Sequence, residues 1–286
     1  GELYISENPT PERNSYLIIH LNFSEVVGGL DNYQKGLDAH CRIAFESFCD
    51  RYATLLPTGI KEGIKAEPDA VSMLTFLCQK CKDAGRKIYL FIDEYDNFTN
   101  MILANKNHEQ RYREQTHGEG YLRRFFNAIK GATGSSLGRV FVTGVSPVTM
   151  DDLTSGFNIG TNYSLAPEFN EMTGFTEEEV RDMLGYYASV LPFNHTVDEL
   201  IKEIKPWYDN YCFAIKRYDK TTMYNSVMVL NFIDNYIRND YDIPDKMVET
   251  NVRIDYDKIR MLIRHDKEFD NDASVIQELV SKGYVT

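Results

Sequence analysis

The chain has 286 residues, 43% of them hydrophobic, with 31 lysines and arginines against 43 aspartates and glutamates for a net charge of −12. That length buries a substantial core, as one large domain or an α/β unit with a helical appendage, and the acidic balance argues against a broad nucleic-acid footprint. No apolar run approaches the roughly 20 residues that span a bilayer, no signal-peptide pattern is present, and an odd five cysteines argue against a disulfide framework and for a cytoplasmic protein.

GELYIS at the start reads as an element already under way, and IQELVSKGYVT at the end as a helix, a glycine cap and the first residues of a strand. Both ends are therefore expected to be cuts in a longer protein. Residues 16–23, YLIIHLNF, form an apolar run suited to a buried strand. A helix is expected over about 31–56, with Ile43, Ala44, Phe48 and Tyr52 among its apolar residues. After the turn-rich LPTGIKEGIKAEPD comes a second helix with Val71, Leu74, Cys78 and Cys81 on one face, stopped by Gly85.

The next strand, Ile88 to Ile92, runs into Asp93, Glu94 and Asp96. Residues 108–120 read as a loop or helix start, and Leu122, Phe125, Phe126 and Ile129 as an amphipathic helix closed near Gly131. RVFVTGVS (139–146) and NYSLAP (162–167) are third and fourth strand candidates. Apolar strands alternating with helices imply a parallel sheet covered on both faces. From the capping box of Thr176 and Glu179 onward the chain reads mostly helical, near 176–190, 197–205, 225–239, 255–265 and 273–282. The expected division is an α/β core over 1–172 and a helical lid with a C-terminal helical region over 173–286, a winged-helix-like arrangement being one option there.

Ligands of open parallel sheets bind beyond the carboxyl ends of the strands. Asp93 and Glu94 stand at one such end, and Thr143 and Ser146 at another. An acidic pair beside a hydroxyl suits a nucleoside triphosphate with Mg²⁺: the Asp as metal ligand, the Glu polarising water, the hydroxyl on the γ-phosphate. Carboxylates serving only as a turn or helix cap are the plainer alternative.

These residues, in this order, resemble the AAA-ATPase-like family of bacterial and archaeal proteins, related to the STAND and archaeal ATPases. Ile92-Asp93-Glu94-Tyr95-Asp96 matches its Walker B strand end, and Thr143-Gly144-Val145-Ser146 its sensor segment. Gly174 to Val180, the aromatic Trp207-Tyr208-Asp209-Asn210-Tyr211-Cys212-Phe213 and Tyr224-Asn225 match later elements of the same pattern. The resemblance implies a P-loop NTPase core of the ASCE type with a helical lid. It implies Mg²⁺ and ATP as cofactors of the complete protein, Asp93 as metal ligand, Glu94 as catalytic base, and Thr143 and Ser146 as phosphate contacts. Many members carry a PD-(D/E)xK nuclease-like domain after the ATPase region, so such a domain or a protein client is an implied partner.

One departure matters. G-x-x-x-x-G-K-[ST] is nowhere in the sequence, and in the family it lies before the stretch that begins here. The core is thus expected to lack its first strand and phosphate loop, and the chain by itself neither to bind ATP tightly nor to hydrolyse it. The alternative is a non-catalytic interaction scaffold with a degenerate NTPase fold. A metal-dependent hydrolase using Asp93, Glu94 and Asp96 directly would need a second ligand cluster, and a serine hydrolase fails because G-x-S-x-G breaks at Val148.

Cys78-Gln-Lys-Cys81 has no second ligand pair and reads as core. His108 and His117 sit in a polar segment without an H-E-x-x-H frame. Arg111, Arg113, Arg123 and Arg124 suit an ordinary helix surface better than an arginine finger of a homo-oligomer. Trp207, Tyr208, Tyr211 and Phe213 read as lid core rather than a base-stacking platform.

Overall fold

The computed structural model describes residues 4–28, 32–97, 120–144, 160–209, 211–217, 220–245 and 247. These fall into two compact units, one ending before residue 160 and one beginning at Gly160. The expected helices over 255–265 and 273–282 lie outside the described residues.

In the first unit a one-turn helix α1 (Tyr4–Glu7) precedes β1 (Tyr16–Asn22), α2 (Tyr33–Arg51), α3 (Ile60–Ala66), α4 (Ala70–Asp83), β2 (Lys87–Asp93), α5 (Tyr121–Ala132) and β3 (Leu137–Val142). The strands form a parallel sheet in the order β1-β2-β3. Leu17 pairs with Ile88, Ile19 with Leu90 and Leu21 with Ile92, so the buried residues of β1 and β2 share one face. Helix α2 packs on β1 and α4 on β2, joining that face to Phe45, Leu74, Leu77, Phe125 and Ile129 in a single core.

The other face is only partly buried among the described residues. Burial alternates along β1 and β2, and His20 and Phe141 are exposed. Tyr16, Tyr89, Phe91 and Phe141 form a row of rings there, with centroids 5.8, 4.2 and 6.0 Å apart in turn. Aromatic side chains across neighbouring strands stabilise pairing at such positions.

Local chemistry accounts for the boundaries. Helix α4 starts where Asp69 accepts the Ser72 N–H at 2.8 Å. It ends at Gly85, whose φ of +64° is the left-handed cap conformation, with Arg86 N–H donating to Cys81 O at 2.8 Å. The segment read as turn-rich contains α3, because Ile60 and Ile64, one turn apart, are both buried.

The second unit holds α6 (Glu177–Val190), α7 (Val197–Tyr208) and α8 (Ser226–Arg238). Thr176 with Glu179 and Thr196 with Glu199 form capping boxes, and Asn225 caps α8 through Met228 N–H. Val180, Leu184, Leu200, Ile204, Tyr208, Tyr224, Phe232 and Tyr236 build its core.

The expected fourth strand over 162–167 is not formed. Asn162 Oδ1 accepts the Ser164 N–H, Ala166 N–H closes a turn on Tyr163 O at 3.1 Å, and Pro167, which has no N–H to give a ladder, opens a 3-10 turn. Of the aromatic set assigned to the lid core, Tyr208 is buried but Trp207 is 55% and Tyr211 40% exposed. Trp207 follows Pro206 within the last turn of α7, and the apolar stripe of that helix, Leu200, Ile201, Ile204 and Tyr208, passes it by.

Candidate functional site

The sheet delivers three strand ends to one edge. Asn22, the last residue of β1, pairs in register with Asp93, the last of β2. The β2–β3 ladder continues past β3, with Thr143 N–H donating to Ile92 O at 2.8 Å and Tyr95 N–H to Thr143 O at 3.1 Å. By strand alternation Asp93 and Thr143 continue the face of Phe91 and Phe141.

Asp93 and Thr143 are bonded directly: the Thr143 hydroxyl donates to Asp93 Oδ1, which also accepts the Glu94 N–H at 3.0 Å. The second carboxylate oxygen takes no hydrogen bond among the described residues. One free oxygen fits a Mg²⁺ ion, which is held by one or two carboxylates plus water and phosphate. Glu94 has φ +53°, a left-handed conformation that costs a residue with a Cβ about 1–2 kcal/mol. Its half-buried carboxylate makes no hydrogen bond among the described residues.

The residues behind this pair are packed tightly. Tyr95 is buried and Asp96 completely so. Gly144 lies against both: a Cβ there would stand 2.4 Å from Tyr95 Cε1 and 2.6 Å from Asp96 Oδ1. Asn97 donates its backbone N–H to Glu94 O at 2.9 Å and its side-chain Nδ2–H to Phe23 O at 3.1 Å.

Of the residues singled out from sequence, Asp93, Glu94 and Thr143 come together. Ser146 lies outside the described residues, as do Arg111, Arg113, His108 and His117. Asp96 does not join Asp93 and Glu94 as a third open carboxylate, because it is sealed under Gly144. Among the described residues no group of three or more His, Cys, Asp or Glu is placed to hold a metal. Cys78 and Cys81 are core residues whose thiols burial pushes up to about 11 and about 12. Arg124 lies over the Tyr121 ring at 5.2 Å, a packing role.

Sequence reading missed Asn22, Asn97 and Asp38. Asn22 carries a signal in retrospect, as the polar end of an apolar strand, and its Oδ1 accepts from Ser24 N–H at 3.0 Å. Asp38 accepts the Tyr121 hydroxyl and the Ala70 N–H, the latter at 2.7 Å. That long-range link has no local pattern to betray it.

The model of the family described as Predicted AAA-ATPase matches residues 1–154. No curated protein and no solved structure matches the chain. The matched residues, just over half of the 286, take in β1, β2, β3 and the Asp93–Thr143 pair. No helix among the described residues is long and apolar enough to cross a membrane. With a parallel α/β sheet ending in an acidic pair on one strand and a hydroxyl on its neighbour, the chain belongs to the AAA-ATPase-like family.

Proposed function

We propose that these residues are the metal-and-water half of a Mg²⁺-ATP site, in a P-loop NTPase whose nucleotide cycle switches an attached effector domain. The observation that carries this reading is the Thr143 hydroxyl on Asp93 Oδ1, which ties the ends of two neighbouring parallel strands. Asp93 holds the cation through its remaining oxygen, directly or through water. Glu94 takes the proton of the attacking water, and Thr143 both fixes the Asp93 rotamer and senses the γ-phosphate together with Ser146. Bound magnesium supplies charge neutralisation at the phosphate oxygens. The helical second unit serves as the lid.

The sequence contains no G-x-x-x-x-G-K-[ST], so on this reading a backbone cradle for the phosphates would be supplied by residues outside 1–286. Residues 1–286 alone should accordingly show neither ATP hydrolysis nor micromolar ATP affinity in calorimetry, and micromolar affinity would overturn this. In the full-length protein Glu94→Gln should leave ATP bound and lower turnover by about 10²–10⁴-fold. Undiminished hydrolysis removes Glu94 from the role, and a wild-type protein that neither binds nor hydrolyses ATP would instead make the fold an interaction scaffold.

A further inference from the structure

We propose that Asn97 is a positioning residue for Glu94, forming with Gly144 a clamp that holds the left-handed backbone at the end of β2. The functional part of this inference rests on the ATPase reading above; the mechanical part does not.

Glu94 has a φ of +53°, which a residue with a Cβ adopts only where its surroundings impose it. Two sets of contacts impose it here. On the β3 side, Tyr95 N–H is fixed to Thr143 O at 3.1 Å, and the Tyr95 ring and Asp96 carboxylate fill the space that a Cβ on Gly144 would need. Both side chains are buried, Asp96 completely, so this wall does not yield. On the β1 side, Asn97 closes the turn by donating its N–H to Glu94 O, and its side chain crosses to Phe23 O, just past the end of β1. Phe23 is itself fully buried, so the carbonyl it offers is a fixed point.

Among the described residues of this loop Glu94 is the one with a positive φ, and it absorbs the turn between anchored neighbours. Its carboxylate has no hydrogen bond of its own among the described residues, so within them its direction follows from the backbone. A general base must stand within hydrogen-bond reach of the proton it takes, and small misplacements of a catalytic group are expensive in rate. Asn97 touches no reacting atom in this account; it acts through Glu94.

The test uses the full-length protein and three variants: Asn97→Asp, which keeps shape but removes the Nδ2–H donor, Glu94→Gly, which relieves the left-handed strain, and the double variant. Glu94→Gly should raise the Tm of the first unit by about 2–4 °C. Asn97→Asp should lower the Tm less in the natural background than in Glu94→Gly, because only a strained Glu94 gives something back when the clamp opens. Asn97→Asp should also lower kcat on the order of tenfold with KM for ATP within twofold. Additive Tm shifts, or an Asn97→Asp protein with unchanged kcat, would overturn the clamp. A wild-type protein without ATPase activity overturns the function proposed above and leaves the Tm cycle to decide the clamp alone.

Discussion

Alanine at position 144 tests how firmly the ends of β2 and β3 are locked together. The added Cβ would stand 2.4 and 2.5 Å from Tyr95 Cε1 and Cδ1 and 2.6 Å from Asp96 Oδ1, distances that real Cβ atoms do not tolerate. The tyrosine is 5% exposed and the aspartate 0%, so neither can swing into solvent without opening the core. Overpacking of this kind costs about 1–3 kcal/mol. The assay is urea unfolding followed by far-UV circular dichroism, with Gly131→Ala as a matched control. Gly131 lies in the last turn of α5, and nothing stands within 4 Å of a Cβ built there. The same glycine-to-alanine change should stabilise at that position by about 0.5–1 kcal/mol. Opposite signs at the two glycines support the geometry. A Gly144→Ala protein within about 0.5 kcal/mol of wild type would mean that Tyr95 and Asp96 do not fill the space beside Gly144, and the clamp on Glu94 would lose one of its walls.

Two further outcomes concern the second unit. Asn170 is 1% exposed, and its Oδ1 accepts the N–H groups of Phe213 and Ala214 at 3.1 and 3.0 Å; Asn170→Ala leaves both unpaired and should destabilise by about 2–4 kcal/mol in urea unfolding, a loss below about 1 kcal/mol arguing against these two bonds. Glu177 is held below its ordinary carboxylate value of 4.5 by hydrogen bonds from Lys205 and Arg181. A depressed folded-state value means that its stabilisation is complete above pH 4.5 and is lost as pH falls through the lowered value. Urea midpoints should fall less steeply below pH 4.5 for Glu177→Gln than for wild type, and parallel curves would contradict this.

Much of the architecture was legible because it is local. Apolar runs of strand length marked β1, β2 and β3, and Thr-x-x-Glu marked the start of α6. Cys78 and Cys81 were placed in the core by their position on an apolar helix face and the lack of a second ligand pair. Local signals failed where a polar side chain overrode the apolar pattern: Tyr163 and Leu165 suggest a strand, but Asn162 and Pro167 bend the chain between them. At the site, Asp93, Glu94 and Thr143 were visible as strand-end polar residues, whereas the part of Asn97 was not. Its partner is a backbone carbonyl 74 positions away, and carbonyls leave no trace in a sequence. The same holds for Asp38, which caps a helix already capped by Asp69.

The exposed position of Trp207 has a spectroscopic consequence. It is the chain's single tryptophan, it belongs to the second unit, and more than half of its surface is open to solvent. Emission excited selectively from tryptophan therefore reports on the helical unit alone, while the four rings along the sheet, two tyrosines and two phenylalanines, leave the first unit silent at those wavelengths. Urea unfolding of this chain followed by tryptophan emission would be a signal from the second unit, received without any label.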